Sequence, residues 1–431
     1  MLRIIKDKLN SNLGKDVIWT FSLQIVIMVC LFGTNKIISN RLSIDDFGQY
    51  NVIKRSVQVL SSIMLAGVGI ALPRYIPLYK NATPPRKIKP LLSASLIYVL
   101  AISLIVLLSC IIFSDQLHSI IIGKDNNLKL YHIALAYAFI LALAQFLYAY
   151  YRGIGNFKIY NGVQLIIQIA LVVPLIILPI LTITKVFFYW GIITLTLVVI
   201  YLGKIIYDNS LLSFTRKELS ATKSDLGTIV KYSSSRLVAD FFLFSLSAFP
   251  LIYISNFGGL QHTAFFSVGI TFITMTTPIF SFMGIILLPY VSKAIVSNKL
   301  EDAQVFIRKL AIIYFATAIV ATIILYIFIQ PLTTLFFASS YIVASDVSRI
   351  MILSIIPQSI YLLYRNPIDA ISVVPYNIVI LGVCLASIVI SFALSSTLTQ
   401  FAFAYLAVSI LQGLLSWLTW HKLSNKYFKK Q

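Results

Sequence analysis

Long apolar runs broken by short polar segments set the rhythm of this chain. The runs lie at about Val17–Ile38, Val57–Leu78, Pro90–Phe113, Leu130–Tyr151, Val163–Ile183 and Val186–Tyr207. A second set follows at about Tyr232–Ile254, Phe265–Val291, Leu310–Phe337, Val347–Tyr364, Tyr376–Leu394 and Phe401–Trp420. Each is long enough to cross a hydrocarbon core of about 30 Å as a helix. In lipid every backbone polar group must be satisfied within its own segment, so the runs predict helices. The expected fold class is an all-α integral membrane protein of about twelve transmembrane helices. The basic amino terminus, Met1 to Asp16, leads into a long apolar run with no small-residue cleavage site. That pattern predicts an uncleaved first helix rather than a signal peptide.

Composition agrees with this reading. Hydrophobic residues make up 59% of the chain and charged residues 11%, whereas soluble domains carry about a quarter charged residues. No soluble segment is long enough to form an enzyme domain, so the expectation is that the chain is not an enzyme. The net charge of +20 sits in short clusters between apolar runs and never interleaves with aromatics, which argues against nucleic acid. Of the 34 lysines and arginines, 23 fall in alternate segments that include both termini, and seven in the other segments. The remaining four, Arg74, Lys204, Arg236 and Arg349, lie within or at the ends of runs. The positive-inside bias then puts both termini in the cytoplasm. Cys30, Cys110 and Cys384 are isolated inside apolar runs and fit packing, not a disulfide framework or a metal site.

The longest hydrophilic stretch, Asp208–Lys231, divides six runs from six and prompts a search for a repeat. At an offset of 216 residues, Ile38-Ser39-Asn40 recurs as Ile254-Ser255-Asn256, and Leu72-Pro73 as Leu288-Pro289. Tyr148 likewise matches Tyr364, and Tyr160-Asn161 matches Tyr376-Asn377. The expected organisation is an amino-terminal six-helix bundle over 1–207, a cytoplasmic linker over 208–231 and a carboxy-terminal six-helix bundle over 232–431. An even number of helices per half gives parallel repeats about an axis along the membrane normal, with the substrate path between the bundles.

Several junctions are distinctive. The first run ends in Asn40-Arg41-Leu42-Ser43-Ile44-Asp45-Asp46-Phe47-Gly48-Gln49-Tyr50-Asn51, and the second contains Gly67-Val68-Gly69-Ile70-Ala71-Leu72-Pro73-Arg74-Tyr75. The fourth and fifth are joined by Tyr151-Arg152-Gly153-Ile154-Gly155-Asn156-Phe157, and the tenth leads into Tyr364-Arg365-Asn366-Pro367. Over essentially its whole length the chain resembles the polysaccharide flippases. Their superfamily also holds the multidrug and toxic-compound extruders (MATE transporters) and the lipid II flippases. The resemblance implies a MATE-like pair of pseudo-symmetric six-helix bundles that work by alternating access in the bacterial cytoplasmic (inner) membrane. Its implied cargo is an undecaprenyl-pyrophosphate-linked oligosaccharide repeat unit for O-antigen, capsule or a related polysaccharide. The implied partners are that lipid-linked oligosaccharide, membrane lipids, and a polymerase and chain-length regulator of the same biosynthesis. No cofactor is implied, and a proton or sodium gradient is the candidate driving force.

Charge at membrane depth is costly, so each such residue is a functional candidate. Lys36, Lys54, Arg55 and Arg236 are the candidates for a cationic cavity that holds pyrophosphate, arginine by bidentate donation and lysine as a point charge. For Lys36 and Lys54 the competing reading is a side chain that snorkels to the outer interface. Arg236 and Asp240, spaced i, i+4, share a helix face. Asp240 is the candidate for ion coupling, or half of a structural ion pair. Arg74, Arg152 and Arg365 lie at inner ends and fit a cytoplasmic gate or contacts to anionic headgroups. Asp346 and Arg349 read as an interfacial pair. Prolines 174, 179, 250, 278 and 357 are expected inside helices as kink points, and Gly67 and Gly69 as points of close approach.

No P-loop, metal cluster or nucleophile constellation is present in the sequence. Two alternatives compete with the flippase reading. A MATE-type extruder of cationic drugs needs an acidic cavity, and the membrane-depth charges here are mostly basic. A membrane-embedded polysaccharide polymerase or glycosyltransferase would carry a large outer loop or an acidic metal-binding domain, and the longest outer segment is about 18 residues.

Overall fold

The structure is a computed structural model and describes residues 12–82, 84–122, 127–211, 213, 215–296, 300–372 and 374–428. Arg3, Lys6, Lys8, Lys124, Lys299, Lys429 and Lys430, used above for orientation, lie outside the described residues.

The regular structure among the described residues is helical. The elements are α1 (Asn12–Arg41), α2 (Ile44–Leu65), α3 (Val68–Lys80), α4 (Lys89–Ile112), α5 (Ser114–Ile121), α6 (Leu128–Gly153), α7 (Phe157–Ile177) and α8 (Ile183–Asp208). They continue with α9 (Arg216–Phe257), α10 (Leu260–Val296), α11 (Leu300–Phe336), a 3-10 turn (Ser339–Val343), α12 (Ala344–Ile352), α13 (Ile355–Ile371), α14 (Tyr376–Ala393) and α15 (Leu398–Phe428). Among the described residues eleven helical spans are long and apolar enough to cross a membrane, and the bent pair of α12 with its preceding 3-10 turn and α13, at 48°, supplies a twelfth if counted as one span. The expected run at Val347–Tyr364 falls on that bent pair. Pro357 explains the bend, because it offers no N–H to the carbonyl four residues earlier. The turn closes through Leu353 and Ser354, which donate to Ile350 O at 3.3 Å and Met351 O at 3.0 Å.

Helix starts follow local chemistry. Asn127 and Asn156 accept from the backbone N–H three residues on, each at 3.1 Å, and open α6 and α7. Thr182 does the same for α8. Thr215 and Glu218 form a reciprocal capping box at the head of α9, and Thr397 and Gln400 form another at α15. The stretch read as a linker is therefore helix from Arg216 onward. At the other end, α7 stops at Ile177, six residues short of the expected Ile183. Leu178 is extended, as a residue before proline prefers, so Pro179 lies outside the helix and not within it.

The chain forms two compact units. The first comprises Met1–Leu42 and Ile53–Phe244, the second Ser43–Val52 and Ser245–Gln431. Of the three junctions, one falls between α1 and α2, and the other two fall inside α2 and α9. Within the first unit α1 packs on α7, α3 on α6, and α6 on α8. Within the second, α10 packs on α12 and α13, and α13 on α15. The pairing of second with fourth and fourth with sixth spans thus recurs as eighth with tenth and tenth with twelfth. Large apolar side chains on the outside of the helices, such as Ile105, Ile177 and Ile312, fit a hydrocarbon surround.

Candidate functional site

The second span is broken where it matters for the site. Ala66 and Gly67 both adopt positive φ, 54° and 73°, and separate α2 from α3. For alanine this conformation is strained, and glycine takes it freely. A Cβ on Gly67 would meet Ser233 O at 2.5 Å and Arg236 Cβ at 3.0 Å. The missing side chain therefore lets α9 lie directly against the break. Below it, Pro73 has no N–H for Gly69 O, and Arg152 Nη2 from α6 donates to that carbonyl at 2.5 Å. Arg152 thereby ties α6 to α3.

This packing brings together residues far apart in sequence. The Arg74 guanidinium lies 4.7 Å from the Tyr232 ring centroid, and the Arg236 guanidinium 5.8 Å from the same ring. Tyr75 stands edge-on to Tyr232 at 5.4 Å. Asp240 follows Arg236 by one turn of α9. Two guanidinium groups thus flank one electron-rich ring. Arg74, Arg236 and Asp240 are thus neighbours in the first unit, whereas the sequence alone separated Arg74 from the other two. Tyr232 was not foreseen, because a tyrosine at the start of an apolar run carries no signal of its own.

Arg55 and Lys54 lie on the part of α2 that belongs to the first unit, both partly exposed. Arg55 Nη1 donates to Gln58 Oε1 at 3.1 Å. Lys36 is partly exposed one turn before the end of α1, and its carbonyl accepts from Asn40 at 2.8 Å. Arg365 belongs to the second unit, where its carbonyl accepts from the buried Asn377 at 2.9 Å. Asp346 and Arg349 pair at 3.4 Å, with Arg349 also over the Tyr326 ring.

The first unit holds a second polar array. Lys89 Nζ binds Glu218 at 3.0 Å and also the Ser213 carbonyl, and Lys87 reaches Glu218 at 3.4 Å. Tyr79 donates to Asp225 at 2.7 Å, under the Arg86 guanidinium. These contacts hold the hydrophilic start of α9 on the first unit. The Thr215-x-x-Glu218 spacing was the legible clue. Among the described residues no group of three or more His, Cys, Asp or Glu side chains could hold a metal.

The distinctive Arg41 motif is structural. At the end of α1, Arg41 donates to Leu175 O, Leu178 O and Pro179 O at 2.7, 2.5 and 2.7 Å. It satisfies carbonyls that the end of α7 leaves without helical donors. A few residues on, Phe47 packs on Phe337 and Tyr341 in the second unit.

No protein-family model matches this chain, and no curated protein matches it at a significant level. Solved structures do match. The MATE transporter VcmN of Vibrio cholerae, as a point mutant, superposes with a TM-score of 0.69 at 16% identity, over 97% of this chain and 99% of that one. An inward-facing multidrug resistance MATE family transporter of the MOP superfamily gives 0.69 at 14% identity, over 96% and 99%. A MOP superfamily transporter from Pyrococcus furiosus, described as having a binding pocket of reverse polarity that suggests a different function, gives 0.67 at 13%, over 96% and 95%. At these identities the likeness speaks for the fold alone, and this chain has the fold of MATE transporters.

Proposed function

We propose that the protein is a flippase that moves undecaprenyl-pyrophosphate-linked oligosaccharide repeat units from the cytoplasmic to the outer leaflet of a bacterial cytoplasmic membrane. The observation that carries this reading is the pairing of Arg74 and Arg236 around Tyr232, with Arg55 elsewhere in the same unit. Such cations suit a pyrophosphate and repel a cationic drug. The reverse-polarity transporter of the same fold is a precedent for this scaffold carrying a pocket of altered charge. On this reading the two repeats alternate access with both termini cytoplasmic, as the lysine and arginine bias predicts. An ion gradient acting at Asp240, or consumption of the product outside, drives the cycle.

Deletion of the gene should strand lipid-linked repeat units on the cytoplasmic leaflet and remove the surface polymer. The multidrug extruder is the second reading, favoured by the matched multidrug transporters. Normal polymer together with new sensitivity to cationic dyes in the deletion strain would establish that reading in place of the flippase.

A further inference from the structure

A second polar surface in the first unit is chemically unlike the arginine site. Gln24 Nε2 on α1 donates to Gln164 Oε1 on α7 at 2.9 Å. Tyr160, one turn before Gln164, stands edge-on to Tyr148 of α6 at 6.1 Å. Gln145, one turn before Tyr148, donates to Ser61 of α2 at 3.2 Å, and Ser61 in turn bonds the carbonyl of Gln58 at 3.0 Å. These contacts, joined through single turns of α7 and α6, link four helices. Gln24, Gln58, Gln145, Tyr148, Tyr160 and Gln164 all remain partly exposed.

This face is not the lipid face. On α7 the strongly exposed side chains Ile166, Ile169 and Val173 point about 140 to 200° away from Gln164, at roughly 100° per residue. A helix in a bilayer turns apolar residues to lipid and keeps partly exposed amides toward water or protein.

Amides also serve as glue between membrane helices. The repeat argues that more is involved here. At the offset of 216, Gln58, Gln145 and Gln164 become Thr274, Tyr361 and Ile380, while Gln24 becomes Asp240. The second-unit helices pack in the same second-to-fourth and fourth-to-sixth order without amides at these positions. The second-to-fourth packing therefore does not require amides at Gln58 and Gln145.

We propose that this amide and tyrosine face binds the glycan of the lipid-linked substrate through its hydroxyl and acetamido groups. Primary amides donate and accept at once, as sugar hydroxyls do. Tyrosine offers an apolar ring with a polar tip against which a pyranose can lie. The six side chains carry no charge, so they suit a neutral sugar and leave the pyrophosphate to the arginines. Arg55, bonded to Gln58, marks the point where the two chemistries meet. This inference rests on the flippase reading and assigns the part of the same substrate that the cations do not address.

The test uses the purified full chain in detergent, with farnesyl pyrophosphate and farnesyl pyrophosphate bearing one N-acetylglucosamine as probes in calorimetry. The wild type should bind the glycosylated probe about tenfold more tightly, as one or two hydrogen bonds allow. The paired change Gln145→Leu with Gln164→Leu should cut that preference to within about twofold, while affinity for the sugar-free probe holds. The pair Gln145→Asn with Gln164→Asn keeps amides and should lower the preference about threefold, and it decides the matter if the leucine pair misfolds. A preference undiminished in the folded variants, or equal binding of both probes by the wild type, overturns the glycan face and leaves the flippase reading intact. Failure of the wild type to bind either probe overturns the flippase reading, and the glycan face with it.

Discussion

The two halves of this chain share a packing plan and diverge in chemistry. Gln58, Gln145 and Gln164 of the first half correspond, at the offset of 216, to Thr274, Tyr361 and Ile380 of the second. Tyr361 and Ile380 are buried, at 2% and 4% exposure, whereas their glutamine counterparts keep part of their surface. Where the sequence repeats outright, the roles differ as well. Asn161 donates to Phe157 O, within the start of its own helix, at 2.8 Å. Its counterpart Asn377 donates to Arg365 O on the preceding helix at 2.9 Å. Tyr148 meets Tyr160, while Tyr364 stacks on Trp420 at 5.8 Å and 18°. Packing order survived while polar side chains were reassigned. Shape complementarity between apolar helices constrains which pairs touch, and each hydrogen bond depends on single side chains.

If the first half carries the binding chemistry, replacing Arg236 or Arg74 with alanine should abolish transport at normal protein abundance. Lysine at either position should restore part of it, since charge remains and the planar fork is lost. Arg349→Ala, which removes an exposed ion pair in the second unit, should leave transport within about twofold. Transport assays in which all three alanines behave alike would remove the asymmetry between the halves.

The break in the second span supplies a structural test. Gly67→Ala forces a side chain into the left-handed region and against Ser233 O, so it should cost about 2–4 kcal/mol in thermal unfolding. Gly203→Ala, where a Cβ meets nothing within 4 Å, should be neutral or slightly stabilising. Similar shifts at both sites would show that α9 does not depend on the gap at Gly67. Arg41→Ala strips donors from the end of α7 and should cost about 1–2 kcal/mol, read in the same melts.

At Asp240 a milder loss of transport is expected than at either arginine. Asp240→Asn should slow transport severalfold and blunt its response to an imposed proton or sodium gradient. A full gradient response in this variant would give Asp240 a structural role beside Arg236.

Length and hydropathy alone determined the number and order of the spans, because a bilayer demands about 20 apolar residues per crossing and satisfies no backbone group itself. The four matches at one offset pointed to a repeat, and the pairing of second with fourth and fourth with sixth spans does recur in the second half. Individual cations in apolar runs were also visible one by one. What tertiary structure decided was their company. Arg74 and Arg236 are 162 positions apart, and only the glycine gap at Gly67 lets α9 carry Tyr232 between them. Arg41 read as a family mark and proved to be a cap on α7. The glutamines of the polar face were each unremarkable, because one amide in an apolar run can be glue, cavity wall or interface. Only the contacts that link four helices into one surface separate these roles, and such contacts form between elements whose sequence separation carries no periodic signal.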